Sequence, residues 1–492
     1  MKVGDCRFIL FDDLIFSLGV QQNVVQGRPI ADPVIRLGEP GAWDEKRIQF
    51  SSVLYDDKER KFRMWYLGLG DEPECELGEG PGSVVHRGVS YIGHTKQGYA
   101  KSMDGVHWVK PSLELVEFNG SLNNNIIPVH PALPGSPMVI EDPEDGVNPH
   151  RYKMILSNGG GGGLSFSDDG IHWHSYREGM NLYQCGGERG QIASFDQFTQ
   201  EPYCFIKDIY TRDESKRYRI YTQASSGSPH WVRRTGLVYS ADARHWVVHP
   251  EAVMGLPDGG SGISGQVHGL AVMLYKGYYV AFIHLCLPHP KTGWLAPRVH
   301  LAISTDGQNF RIYGDESNAL VPLGPEGSWW EGGVTSDSVL MVGEEIFCYF
   351  TGLNVKAAWD GNPESEERPA LNTGLAKWDS GRILSISLKR GYSEGYFMLS
   401  AVEIEDDCIP EIVLNAEIND ITTDIKAALL DGTSRMTVPG YGFDDFKLDS
   451  ELSGKWNSQI LPSGSRVIPS FQITGEVTRI YSAELHSSTP KE

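Results

Sequence analysis

The sequence predicts an all-β protein: a five-bladed β-propeller over residues 1–392 followed by a C-terminal β-sandwich over 393–492. Three observations predict it. One block recurs five times, as GYAKSMDGVHW from Gly98, GLSFSDDGIHW from Gly163, GLVYSADARHW from Gly236, HLAISTDGQNF from His300 and GLAKWDSGRIL from Gly374. A strand–turn–strand segment precedes each copy, from SSVLYDDKERKFRMWYLG in the first to DSVLMVGEEIFCYFTG in the last. Beyond Gly391 the recurrence stops, and short alternating segments separated by Gly, Pro, Asp and Ser take over.

Each copy of the block has the same physical reading. A short strand of small and apolar residues ends in a Ser-x-Asp-Gly turn, where the Asp side chain caps backbone N–H groups and the Gly supplies a positive φ. An aromatic residue then begins the next strand. The aspartates Asp104, Asp169, Asp242 and Asp306 are therefore expected to be turn caps at the periphery, with Trp108, Trp173 and Trp246 in the core between blades. The preceding segment is a hairpin, rich in aromatic and β-branched residues. Two hairpins make a four-stranded antiparallel sheet, and five sheets in tandem make the propeller, with a period of roughly 65–75 residues that leaves room for long loops.

Composition narrows the function. A formal net charge of −21 over 492 residues argues against nucleic acid or an anionic membrane as partner. No apolar run is long enough to span a bilayer, and Asp12 and Asp13 interrupt the apolar start of the chain, so neither an anchor nor a signal peptide is expected. Seven cysteines without paired spacing point to reduced thiols and a cytoplasmic protein. The histidines lack metal-ligand spacing, so no metal and no cofactor are expected. A homo-oligomer remains compatible with the sequence.

The first strands of propeller blades line a central channel, and their starting ends gather at one mouth. Residues there converge although they are far apart in the chain. The first blade offers Trp43, Asp44, Glu45 and Arg47; the second Asn123, Asn124, Asn125 and His130. The third offers Glu188, Arg189, Gln191, Asp196 and Gln197, the fourth Gln266 and His268, and the fifth Trp329, Trp330, Glu331 and Asp337. Carboxylates, amides, a histidine and tryptophans suit a sugar, since indole faces stack on its C–H surfaces and polar groups bind its hydroxyls. Trp43, Arg47, Gln197, Gln266, His268 and Trp330 are thus the expected substrate-binding residues. Arg233 and Arg234 either read a carboxylate or phosphate group or pair with surface acids.

Cleavage of a glycosidic bond needs two carboxyl groups with pKa values pushed apart. Glu331, set between tryptophans and glycines, is the expected general acid, because that setting is able to raise a carboxyl pKa. Asp196 is the best carboxylate of the middle blade. Asp13, on a strand expected over residues 7–17, and Glu45 compete for the remaining role.

FDDLIF, the block from VLYDDKERKFRMWYLG to YAKSMDGVHWVKPSLELVEFNGSLNNNII, and RYKMILS resemble bacterial proteins described as glycosyl hydrolase family 32-like. These belong to the five-bladed glycoside hydrolase families 32, 43, 68 and 130. The resemblance spans residues 8 to about 390 and implies a glycosidase with acids supplied by separate blades. The WMNDPNG and Arg-Asp-Pro motifs of the fructosidases are absent, so Asp13, Glu45, Asp196 and Glu331 rest on their places in the repeats. The expected function is exo-acting hydrolysis of a short oligosaccharide or glycoside. The alternatives are a non-catalytic carbohydrate-binding propeller, a glycoside phosphorylase and, less favoured, a sialidase.

Overall fold

The computed structural model describes residues 6–10, 14–70, 85–86, 89–90, 95–129, 136–146, 148–157, 162–176, 202–226, 232–255, 266–293, 295–313, 318–354, 371–404, 406–418, 424–456, 460–475 and 478–488. They form two compact units. The longer comprises Gly27–Lys377; the other joins Met1–Gln26 to Trp378–Glu492.

The longer unit is a five-bladed propeller. Its first blade is built from Arg47–Asp56, Lys61–Leu69, Thr95–Ser102 and Trp108–Val109, each strand antiparallel to the next. Pro137–Glu141, Tyr152–Ser157, Gly162–Ser167 and His174–Tyr176 make the second blade. Pro202–Lys207, Tyr218–Ser226, Val232–Ser240 and Val247–Val248 make the third. Gln266–Tyr275, Tyr278–Pro288, Leu295–Ser304 and Arg311–Tyr313 make the fourth. The fifth blade contains Gly333–Val342, Glu345–Leu353 and Leu371–Asp379, and its outer edge is covered by Arg28–Pro29 from the other end of the chain. Closure of the ring thus uses a strand that no repeat predicts.

The recurrent turns are the seams between blades. In the first, Asp104 Oδ1 accepts from the N–H groups of Val106 (2.9 Å) and His107 (2.8 Å), and Ser102 Oγ accepts from Gly105 (2.9 Å). Asp169, Asp242 and Asp306 do the same. These donors hold the carboxyls of Asp169, Asp242 and Asp306 down to about 2, against the opposing cost of partial burial. An aromatic of the neighbouring blade then donates to the turn's carbonyl: Trp65 Nε1 to Gly170 at 2.7 Å, Tyr221 to Gly307 at 3.0 Å, and Tyr349 to Gly105 at 2.7 Å. Gly170 has φ +80°, and a Cβ there would lie 2.8 Å from the Trp65 ring, so both backbone and packing require glycine. Trp108, Trp173 and Trp246 donate to their own turns at 2.9–3.1 Å.

A second seam lies at the far ends of the innermost strands. Asp56 accepts from Arg151 of the second blade (2.5 Å), Asp142 from Tyr218 (2.6 Å) and Lys207 (2.7 Å) of the third, and Asp208 from Tyr279 of the fourth (2.6 Å). Within the second blade Lys153 is fully enclosed, its Nζ 3.3 Å from the equally enclosed carboxylate of Asp145. Small polar side chains tie the innermost strands together around the axis. Ser52 Oγ accepts from Val139 N, Ser338 Oγ donates to Ser51 O, and Ser336 Oγ donates to Phe282 O.

The other unit is a β-sandwich of two antiparallel sheets. One has the order Val20–Val24, Leu384–Leu388, Thr478–Ser488, Ile409–Ile418, Ser453–Trp456 and Phe446–Leu448. The other runs Leu14–Leu18, Glu394–Leu399, Arg466–Thr474 and Val402–Glu403, with Asp424–Asp431 also on Arg466–Thr474. Phe397 stacks on Phe471 (4.9 Å between centroids) in a core that includes Trp456 and Ile480. The boundary expected at 392/393 therefore differs from the compact units, because the N-terminal strands, read as part of the propeller, pair with C-terminal ones. The strand expected over 7–17 is two strands, Cys6–Leu10 and Leu14–Leu18, in different sheets. Among the described residues no helix is long and apolar enough to cross a membrane.

Candidate functional site

Four of the five innermost strands carry an irregularity on the axis of the propeller. The register slips between Gln49 and Ser52 in the first blade, Pro202 and Cys204 in the third, Val267 and Leu270 in the fourth, and Ser336 and Ser338 in the fifth. A bulge frees a residue from the ladder and re-aims it. The freed residues here include Phe50, Ser51, Tyr203, His268 and Asp337, and all five line one cavity. Phe50 takes φ +51°, a costly conformation for a bulky side chain. Its N–H donates to Thr351 Oγ1 (3.0 Å), which in turn donates to Asp337 Oδ2 (2.8 Å).

Asp337 is the carboxyl of this cavity among the described residues. Ser51 N also donates to Oδ2 (3.1 Å), while Oδ1 is shut from solvent and has no hydrogen-bond partner among the described residues. Part of the residue is exposed, but Oδ1 is not. Burial outweighs the hydrogen bonds from Ser51 and Thr351 and pushes its pKa up to about 7. A carboxyl poised between its two states at neutral pH is suited to give or take a proton.

Across the lining, Arg233 donates to His268 Nδ1 at 3.0 Å, which leaves the ring proton on Nε2, 3.2 Å from the accepting Gln266 Oε1. Burial, with the Arg233 charge adding to it, pulls the His268 pKa down to about 3, so the imidazole is neutral. His284 is neutral as well, its pKa lowered to about 4 by burial; its Nε2 donates to Ser336 O at 2.6 Å. The remaining walls include Met138, Pro137, Pro202 and Pro297.

The residues expected from sequence scatter around this cavity. His268 lines it, and Gln266 lies behind, holding His268. Asp13, Asp196 and Gln197 lie outside the described residues. Trp43 is only 3 % exposed and donates to Asn125 Oδ1 (3.1 Å), so it is a core residue instead of a sugar platform. Trp330, at 7 % exposed, packs edge-on against Trp329. Arg47 opens the first blade's inner strand but does not line the cavity.

Glu45 and Glu331 occupy equivalent places in two copies of one loop, LGEPGAWDE and LGPEGSWWE. Glu45 Oε2 accepts from Gly41 N (2.6 Å), and Glu331 Oε2 from Gly327 N (2.7 Å). Glu331 also pairs with Lys291 at 2.6 Å. Its setting lowers its pKa, chiefly through Lys291, where the sequence reading has it raised. It braces a loop and does not line the cavity. Glu331→Gln is accordingly expected to leave turnover within a few-fold of wild type, measured on any substrate for which wild-type activity is established. The twinned loop was visible in the sequence and marks both glutamates as structural; Asp337 carries no such local signal, because the bulge that displays it exists only in the folded sheet.

No protein-family model matches the chain, and no curated protein sequence matches it. Among solved structures the chain is similar to a protein described as a glycoside hydrolase, at 14 % identity and a TM-score of 0.48, over 72 % of this chain and 92 % of that one. It is also similar to a glycoside hydrolase family 43 arabinoxylan arabinofuranohydrolase from Bacillus subtilis in complex with cellotetraose, at 11 % identity and a TM-score of 0.41, over 93 % and 99 %. A fructofuranosidase from Schwanniomyces occidentalis complexed with fructosylnystose matches at 12 % identity and a TM-score of 0.40, over 94 % and 98 %.

Proposed function

We propose that the propeller channel is the active site of a glycoside hydrolase, exo-acting on a short oligosaccharide or glycoside, with Asp337 as the proton donor. The observation that carries this reading is a shielded carboxyl with a pKa near 7 on the floor of a cavity rich in small polar groups. Protonated, it can deliver its proton to the leaving glycosidic oxygen. Ser51, Thr335, Ser336, Tyr203 and Arg233 also line the cavity. The partner carboxylate would come from Asp196. It would lie roughly 5–10 Å from Asp337, whichever stereochemical course the reaction takes.

The test is an assay of the purified protein against a panel of aryl glycosides and short oligosaccharides, with and without phosphate. Hydrolysis without phosphate, lost in Asp337→Asn and in Asp196→Asn, is the expected result. A strict phosphate requirement would move the reaction to phosphorolysis. Absence of turnover across the panel, with sugar binding retained, would favour a second reading, a non-catalytic carbohydrate-binding propeller. That reading draws on the single carboxyl among the described lining residues.

A further inference from the structure

We propose that Arg233 makes the channel an oxyanion site, so that its ligand includes either the carboxylate of an acidic sugar or inorganic phosphate. The sugar arm rests on the glycosidase reading; the anion arm does not.

Several arginines elsewhere in the propeller pair with a carboxylate, whereas Arg244 bonds to the Asn148 amide. Arg63 pairs with Glu59 (2.9 Å), Arg151 with Glu141 (2.7 Å), Arg217 with Asp142 (3.0 Å) and Arg219 with Asp208 (2.6 Å). Arg233 lines the cavity, and its partner is the neutral His268 ring; among the described residues no carboxylate pairs with it. In a chain with 64 acidic and 43 basic residues, a carboxylate partner would be easy to supply. The cavity's own carboxyl, Asp337, is mostly uncharged on the acid side of neutrality and does not neutralise the guanidinium there.

The Arg233–His268–Gln266 chain fixes the guanidinium's direction. Both His268 nitrogens are committed, so the ring serves as a positioning residue and carries no charge of its own. A guanidinium has five N–H donors in a planar fork, and one of them is used by His268. The remaining donors match the two oxygens of a carboxylate or phosphate in a geometry a lysine cannot reproduce.

The experiment is calorimetric titration of the full-length protein at pH 6 with glucuronate and galacturonate, with glucose and galactose, and with inorganic phosphate. Wild type, Arg233→Leu and Arg233→Lys are compared. The expected result is that one uronate binds about tenfold or more tightly than its neutral counterpart, or that phosphate binds saturably. Arg233→Leu should then lose at least tenfold toward the anion, and Arg233→Lys should lose part of it, while neutral-sugar binding changes less than threefold. Uronate preference identifies an acidic sugar as the source of the oxyanion; phosphate binding alone identifies phosphate. Equal binding of uronates and neutral sugars, with no phosphate binding, overturns the proposal and leaves the glycosidase reading standing. Anion binding that survives in both variants also overturns it. Phosphate binding through Arg233 without any sugar binding sustains the oxyanion site and removes the glycosidase reading.

Discussion

Asp337→Asn is expected to abolish turnover and, at the same time, to stabilise the protein above neutral pH. A positioned general acid contributes about 10²- to 10⁴-fold, and an amide has no proton to give at any working pH. The stability effect follows from the same carboxyl. Its ordinary pKa is 3.8 and its folded value about 7. Between those values the unfolded chain has released the proton that the folded one keeps, so wild-type stability falls as pH rises from about 4 to 7. Above pH 7 the folded protein carries the whole cost of a shielded charge, on the order of 2–4 kcal/mol. Asparagine removes that cost. The difference in Tm between variant and wild type should therefore be small at pH 4.5 and several degrees at pH 8. Turnover itself should decline as pH rises through 7. A pH-independent Tm difference would contradict a shielded neutral carboxyl, and near-normal turnover would remove Asp337 as the acid.

Lys153→Ala is expected to produce the largest loss of stability among single substitutions in the second blade. The ammonium lies 3.3 Å from Asp145, 3.1 Å from Asp142 O and 3.4 Å from Asn148 O, with no access to water. Burial lowers the lysine's pKa, and Asp145 acts against that, so the pair is held together by mutual need. Removing one partner strands a carboxylate in the interior, at a cost of about 3–5 kcal/mol. Denaturant unfolding should show it as a lower midpoint at unchanged slope. Replacing Lys153 and Asp145 together by apolar residues should restore much of the loss, since neither charge is then left alone. If Lys153→Ala shifted the midpoint only marginally, the pair would be solvated, contrary to its enclosure.

The propeller was legible because its signature is local. A Ser-x-Asp-Gly turn encodes its own hydrogen bonds within four residues, and the structure forms them at Asp104, Asp169, Asp242 and Asp306. The site was much less legible. Trp43 and Glu331 were read as functional from their neighbours in sequence, yet the fold turns the indole into the core and pairs the carboxylate with Lys291. Position along a strand predicts facing only while the pleat alternates, and the residues gathered on the axis include those where alternation breaks. His268 was reached because it stands at the start of the fourth blade's inner strand. The relay from Arg233 through it was out of reach, since Arg233 belongs to the third strand of a different blade. The exchange of N-terminal strands into the sandwich has the same origin: nothing in FDDLIF states which distant edge it will join.

The sandwich has a consequence for how the chain comes off the ribosome. Asn23 and Ser387 share a hydrogen bond although 364 positions separate them, and the whole propeller is spelled out in between. Val20–Val24 emerges before any blade, whereas its neighbour Leu384–Leu388 arrives only after every blade has been translated. Arg28–Pro29 waits almost as long to complete the fifth blade. Throughout elongation these nascent segments present unsatisfied backbone groups, the kind of edge that invites pairing with the wrong chain. Contacts this remote in sequence form slowly. Strands made before the propeller are thus among the last to find their places.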